Sequence, residues 1–137
     1  MNSFQLYGLA AARVLVGVVF LTTGFGNIAQ APAAKALANH GAPGALVPLL
    51  MLAGRTIKIV GGFGLILGIH SQIAAIAVIA VIAFLIPATL VGHGFWQVRG
   101  TPTYIQQLLQ FLKNAAMTGG LLFIAATPNQ PALFPRF

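Results

Sequence analysis

The chain has 137 residues, 58% of them hydrophobic and 5% charged, with seven Lys and Arg and no Asp or Glu. Soluble domains carry about 25% charged residues, so this composition excludes a water-soluble globular domain and makes lipid the expected solvent. The +7 charge reflects missing acids rather than abundant bases. It does not suggest nucleic acid, whose binders gather Lys and Arg on one solvated face, because the basic residues here are scattered singly. The absence of cysteine excludes disulfides and thiolate chemistry.

A spanning helix needs about 20 mostly apolar residues, and four stretches qualify: about 6–28, 46–69, 72–92 and 105–126. The expected fold is therefore all-α, a polytopic four-helix transmembrane bundle forming a single domain over 1–137. The first stretch also resembles a signal peptide, with Arg13, an apolar run and "AQA" at 29–31. Residues before Arg13 are already apolar, however, and Pro32 would directly follow the cut. The segment is thus expected to stay as a helix, with Arg13 roughly 10 Å along it at 1.5 Å per residue. Gly17, Gly24 and Gly26 interrupt it, and Asn27 lies at its end.

The connection over 30–43 has Pro32 near a helix start and Gly41 as a stop. The pattern predicts a short interfacial helix between helices 1 and 2, with Lys35 and His40 reaching water. The second span carries Arg55 and Lys58 near its middle, on one face because they are three apart. Gly61, Gly62, Gly64 and Gly68 follow, with Gly64 and Gly68 in GxxxG spacing. The link "HSQ" at 70–72 is so short that the next span must return antiparallel. His93 ends that third span beside Trp96, and the polar loop 97–103 carries Arg99. In the fourth span Lys113 and Asn114 lie about 12 Å in, ahead of Gly119 and Gly120. The proline-rich tail cannot be helical. Loop charges lean weakly toward external termini, with Lys35 and Arg99 on one side and Arg136 on the other.

Lipid gives helices no hydrophobic reason to associate, so small residues that let backbones approach become important. Gly61, Gly64, Gly68, Gly119 and Gly120 are read as helix-packing positions, either within the bundle or on a face for another copy or subunit. The charges raise a harder question. A cation at the bilayer centre costs about 2.5–3.5 kcal/mol on insertion scales, and this chain has no acidic side chain to pair with one. Four escapes remain: snorkelling to headgroups, loss of the lysine proton, an anionic ligand, or a partner that brings Asp or Glu. Arginine keeps its charge, so Arg55 must find backbone carbonyls, water, an anion or a partner. This set of Arg13, Arg55, Lys58, Lys113 and Asn114 is the candidate partner- or anion-facing site.

His40, His70 and His93 stand in separate connections with no i, i+4 pair, so no metal site is expected. His93 and Trp96 read as an interfacial anchor and, alternatively, as a quinone contact. No cofactor is encoded, and a quinone or a bound lipid is the candidate ligand.

At these residues the chain resembles the DoxX family of small four-helix membrane proteins. The resemblance rests on "RVLVGVVFLTTGFGNI" at 13–28, "GAPGALVPLL" at 41–50, "KIVGGFGLILG" at 58–68, "HGFWQV" at 93–98 and "QFLKNAAMTGGLLFIA" at 110–125. The family usually has lysine at the position of Asn27 and glutamate at that of Lys58, so an acid–base pair has been dismantled here. The resemblance implies association with redox systems of the bacterial inner membrane, and cytoplasmic termini.

The first functional expectation is a non-catalytic accessory or structural subunit of a larger membrane complex, redox- or quinone-linked. Its partners would be lipids and subunits that supply acidic residues, or further copies of the chain. The chain lacks the acids and thiols of general acid–base or nucleophilic catalysis. The alternatives are a quinone- or oxyanion-handling oxidoreductase subunit, and a small-anion transporter or channel.

Overall fold

A computed structural model of the chain describes residues 2–26, 30–68, 79–80, 83, 86, 90 and 94–127. The elements with defined bounds are α1 (Ser3–Phe25), α2 (Gln30–Asn39), α3 (Val47–Leu67), a 3-10 turn (Phe95–Val98) and α4 (Tyr104–Ala126). Three of the helices, α1, α3 and α4, are long and apolar enough to cross a membrane. The expected third span, 72–92, falls mostly outside the described residues, and so do His70 and His93. Ile79, Ala80, Ala83, Ile86 and Leu90 within it are helical.

The first helix starts at Ser3, earlier than its apolar run suggests. Asn2 supplies the reason. Its Oδ1 accepts from the Gln5 backbone N–H at 2.8 Å, and Gln5 Oε1 accepts from the Asn2 N–H at 2.9 Å. This reciprocal capping box satisfies two amides that the first turn leaves without an intrahelical partner. The α2 helix stops at Gly41, whose φ is +83°. The Gly41 N–H bonds to the Ala38 carbonyl at 3.1 Å and the Ala42 N–H to the Leu37 carbonyl at 3.1 Å, the paired bonds of a Schellman stop. Pro48 opens α3, where its missing N–H costs nothing. Gly68 closes α3 in the left-handed conformation at φ 59° and ψ 30°.

Helices α1 and α3 form the closest pair. A Cβ placed on Gly17 would meet Ile66 Cγ1 at 2.6 Å and the Gly62 carbonyl at 2.9 Å. On Gly24 it would meet Ile59 Cγ1 at 2.8 Å, and on Gly62 it would meet Leu21 at 2.9 Å. These pairings run antiparallel, and their closeness depends on glycine. They also fix a stagger. Gly24, beside the last residue of α1, lies against Lys58 and Ile59. Residues 47–57 of α3 therefore run on about 16 Å beyond it. At the other end, Gly68 lies against Arg13, and residues 3–12 of α1 run on about 15 Å. Phe25 and Phe63, whose side chains each lean toward their own helix's N-terminus, meet edge to face at 6.2 Å.

The buried apolar core is small: Leu9, Phe20, Leu65, Leu121 and Ile124, with Ala12, Val16, Ile57, Met117 and Ala125 against it. Most large apolar side chains point outward instead. Leu15 is 69% exposed, Leu52 61%, Val60 61% and Phe123 67%. In water such a surface would drive aggregation; in a bilayer it is the solvated surface. The protein is an all-helical polytopic membrane protein.

Candidate functional site

The residues to place first are the basic ones on the spanning helices. Arg55 is the ninth of the 21 residues of α3, deep by position along its own helix. Across the interface, however, it stands at the C-terminal end of α1. Its Nε donates to the Gly24 carbonyl at 2.9 Å and its Nη2 to the Phe25 carbonyl at 3.4 Å. The last carbonyls of a helix have no intrahelical donor and carry the negative end of its dipole, equivalent to about half an electron charge. Helix α1 thus supplies part of the counter-charge that no side chain of this protein can.

Arg13 stands at the opposite end of the pair. It is the eleventh of the 23 residues of α1, is only 1% exposed, and lies against Gly68, the C-cap of α3. A Cβ on Gly68 would come within 2.6 Å of Arg13 Nη2 and 2.8 Å of its Cζ. The guanidinium therefore fills the space a side chain would need. Each arginine is mid-helix on its own element and terminal on its partner's.

Lys58, one turn beyond Arg55, is half-buried, with its Cβ stem 3.3 Å from where a Gly24 Cβ would stand. Lys113 is exposed on α4, and its Nζ donates to Gln110 Oε1 at 2.5 Å. Asn114 is half-buried, and its carbonyl accepts from Thr118 Oγ1 at 2.9 Å. Among the described residues, no Cα of α3 comes within 8 Å of one on α4. The five residues of the expected partner- or anion-facing set therefore do not form one cluster. Arg55 and Lys58 share the end of α1, Arg13 belongs to the end of α3, and Lys113 and Asn114 lie on α4, away from α3.

Trp96 is 46% exposed and belongs to an aromatic group at the start of α4. Phe95 meets Trp96 at 5.3 Å, Tyr104 at 6.1 Å and Phe111 at 5.2 Å, all edge to face. The group ties the 3-10 turn to α4. Rings of this kind, half apolar and half polar, suit the boundary between membrane and water.

The glycines separate into two groups. Gly61 is buried and Gly64 half-buried on α3, and the Gly64 carbonyl accepts the Gly68 N–H at 3.1 Å. Gly119 and Gly120 on α4 are exposed, and a Cβ at either would meet nothing within 4 Å.

Sequence reasoning did not single out Gly24 and Phe25 as acceptors, or Gln110 as the partner of Lys113. The last was available from spacing, since residues three apart on a helix are neighbours. The first two depend on where α1 ends beside α3, which spacing along one helix does not reveal.

No protein-family model matches the chain, and no solved structure matches it. The chain is similar to the inner membrane protein YqjF of Escherichia coli (strain K12), at 27% identity over 128 residues covering 93% of this chain and 88% of that protein. Taken with three helices able to span a bilayer, the similarity places this protein as an integral component of the bacterial inner membrane.

Proposed function

We propose that this chain is a non-catalytic accessory subunit of a larger membrane complex, of the redox- or quinone-linked kind that its DoxX resemblance implies. On this reading the bundle has four spans, α2 lies at the membrane surface, and both termini are cytoplasmic. One observation carries the proposal: Arg55 turns two of its donors to the carbonyls of Gly24 and Phe25. A cation bound to a helix end braces a scaffold, and it is not poised for a substrate. The sequence adds that no acid, base pair or thiol is present for chemistry.

Lys58 is the residue we assign to the partner. It is half-buried beside the α1–α3 contact, at a position where the resembling family usually carries glutamate. Since the chain has no Asp or Glu, an acidic side chain facing Lys58 would belong to another subunit. The test is affinity capture of the tagged protein from its native membranes in mild detergent. A defined set of co-purifying membrane subunits is expected, reduced in Lys58→Met while the variant's own thermal stability changes little. A monodisperse lone chain in both forms would refute the proposal.

A quinone-handling subunit is the second reading, and the aromatic group around Trp96 favours it. It requires a quinone that co-purifies with the protein and is lost in Trp96→Ala.

A further inference from the structure

The outer edge of α4 carries a run of polar side chains that neither the arginine contacts nor the subunit reading uses. Gln106, Gln110 and Lys113 follow one another at i, i+4 and i+7, so they stand one above another on the same helix edge. Gln106 and Lys113 are exposed and Gln110 is half-buried. Lys113 lies nine residues into α4, about 14 Å from its first residue. Its ammonium does not stay at that depth. The bond from Nζ to Gln110 Oε1 draws the side chain back toward the N-terminal end of the helix, the direction in which helical side chains lean and in which a lysine in lipid reaches polar surroundings.

On the flank beside this run α4 turns apolar side chains outward. Leu109 is 60% exposed, Leu112 53% and Phe123 67%, and beside them Gly119 and Gly120 leave open space. Among the three described spans, α4 is also the least covered. About 11% of its most apolar stretch is buried, against 22% for α1 and α3.

We infer that this edge is a binding site for one anionic phospholipid. The phosphate is held by Lys113 Nζ and the side-chain amides of Gln106 and Gln110, and the acyl chains lie along Leu109 and the open surface at Gly120, which flank Lys113 on the helix. Charge complementarity decides the occupant. A chain with seven cations and no acidic side chain offers no repulsion to a phosphate, and a single cation near the membrane surface already favours anionic lipid. The direction in which Lys113 points selects a headgroup at the surface over a carboxylate at mid-membrane. The site is separate from Lys58, on which the subunit reading rests.

The test is native mass spectrometry of the full chain, delipidated in detergent and then incubated with phosphatidylglycerol or phosphatidylcholine. One phosphatidylglycerol is expected to remain bound where phosphatidylcholine does not. Lys113→Gln should weaken retention about fivefold, the attraction of one cation near a charged surface. Gln110→Leu should weaken it less, Lys113→Arg should preserve it, and Lys35→Gln should leave it unchanged. Equal retention of the two lipids overturns the inference, as does retention unaffected by Lys113→Gln. A loss in Lys35→Gln as large as in Lys113→Gln also overturns it, by reducing the effect to net charge. Inorganic phosphate that displaces the lipid at equal concentration would show that no lipid is selected, and overturns it as well. A membrane protein whose co-purification depends on Lys113 would replace the lipid with a partner carboxylate.

Discussion

Arg55 Nε and the carbonyl oxygen of Gly24 lie 2.9 Å apart across the α1–α3 interface. That bond gives a half-buried cation the terminal carbonyls of a neighbouring helix in place of a carboxylate. Hydrogen bonds with one charged partner contribute about 1.5–3 kcal/mol. Arg55→Met should therefore lower stability by about 2–3 kcal/mol, read as an earlier midpoint in detergent-based unfolding. Arg55→Lys keeps the charge but loses the planar fork that reaches two carbonyls, and should fall between the parent and the methionine variant. Parent-like unfolding of Arg55→Met would leave the bond without a stabilising role.

Gly68 and Gly41 share a left-handed backbone, at φ 59° and 83°, but differ in surroundings. Alanine in that conformation costs about 1–2 kcal/mol at either position. At Gly41 nothing stands within 4 Å of the new methyl, whereas at Gly68 it collides with the buried Arg13 guanidinium. Overpacking adds about 1–3 kcal/mol. Gly68→Ala is expected to be clearly less stable than Gly41→Ala in the same thermal assay. Equal losses would mean that Arg13 moves aside freely.

Gly17 and Gly120 offer a second contrast. A methyl on Gly17 meets the Gly62 backbone carbonyl at 2.9 Å, an atom that yields only if the helices separate. Gly17→Ala should cost about 1–3 kcal/mol, read as an earlier midpoint in the same thermal assay. Gly120→Ala enters open space and gains helix propensity of up to about 1 kcal/mol. It should be neutral or stabilising, and a marked loss would reveal packing against α4 from outside this chain.

Much of the architecture is legible in the sequence, because an apolar run of spanning length has few alternatives in lipid. The runs 6–28, 46–69 and 105–126 correspond to α1, α3 and α4 with shifts of a few residues. The start of α1 at Ser3 reflects the capping box of Asn2 and Gln5, which hydropathy does not register. Gly41 was readable as a stop because its role is local. The placement of the charges was harder to read. Counting residues along α3 puts Arg55 deep, but its surroundings are set by where α1 ends, and that is a relation between elements. Gly68 reads as a packing glycine from its GxxxG spacing. Its left-handed φ closes α3 locally, but its contact with a guanidinium emerges only when α1 is laid against it.

The stagger of α1 and α3 carries a consequence for the surrounding bilayer. Sliding two helices past each other by half their length makes the pair nearly 50 Å from tip to tip at 1.5 Å per residue, against a hydrocarbon thickness of about 30 Å. Tilt, local thickening or emergence of the tips must absorb the mismatch, at fractions of a kcal/mol per Å. The two arginines hold the offset, so they act as a ruler, and stability in nanodiscs should rise as the lipid chains lengthen.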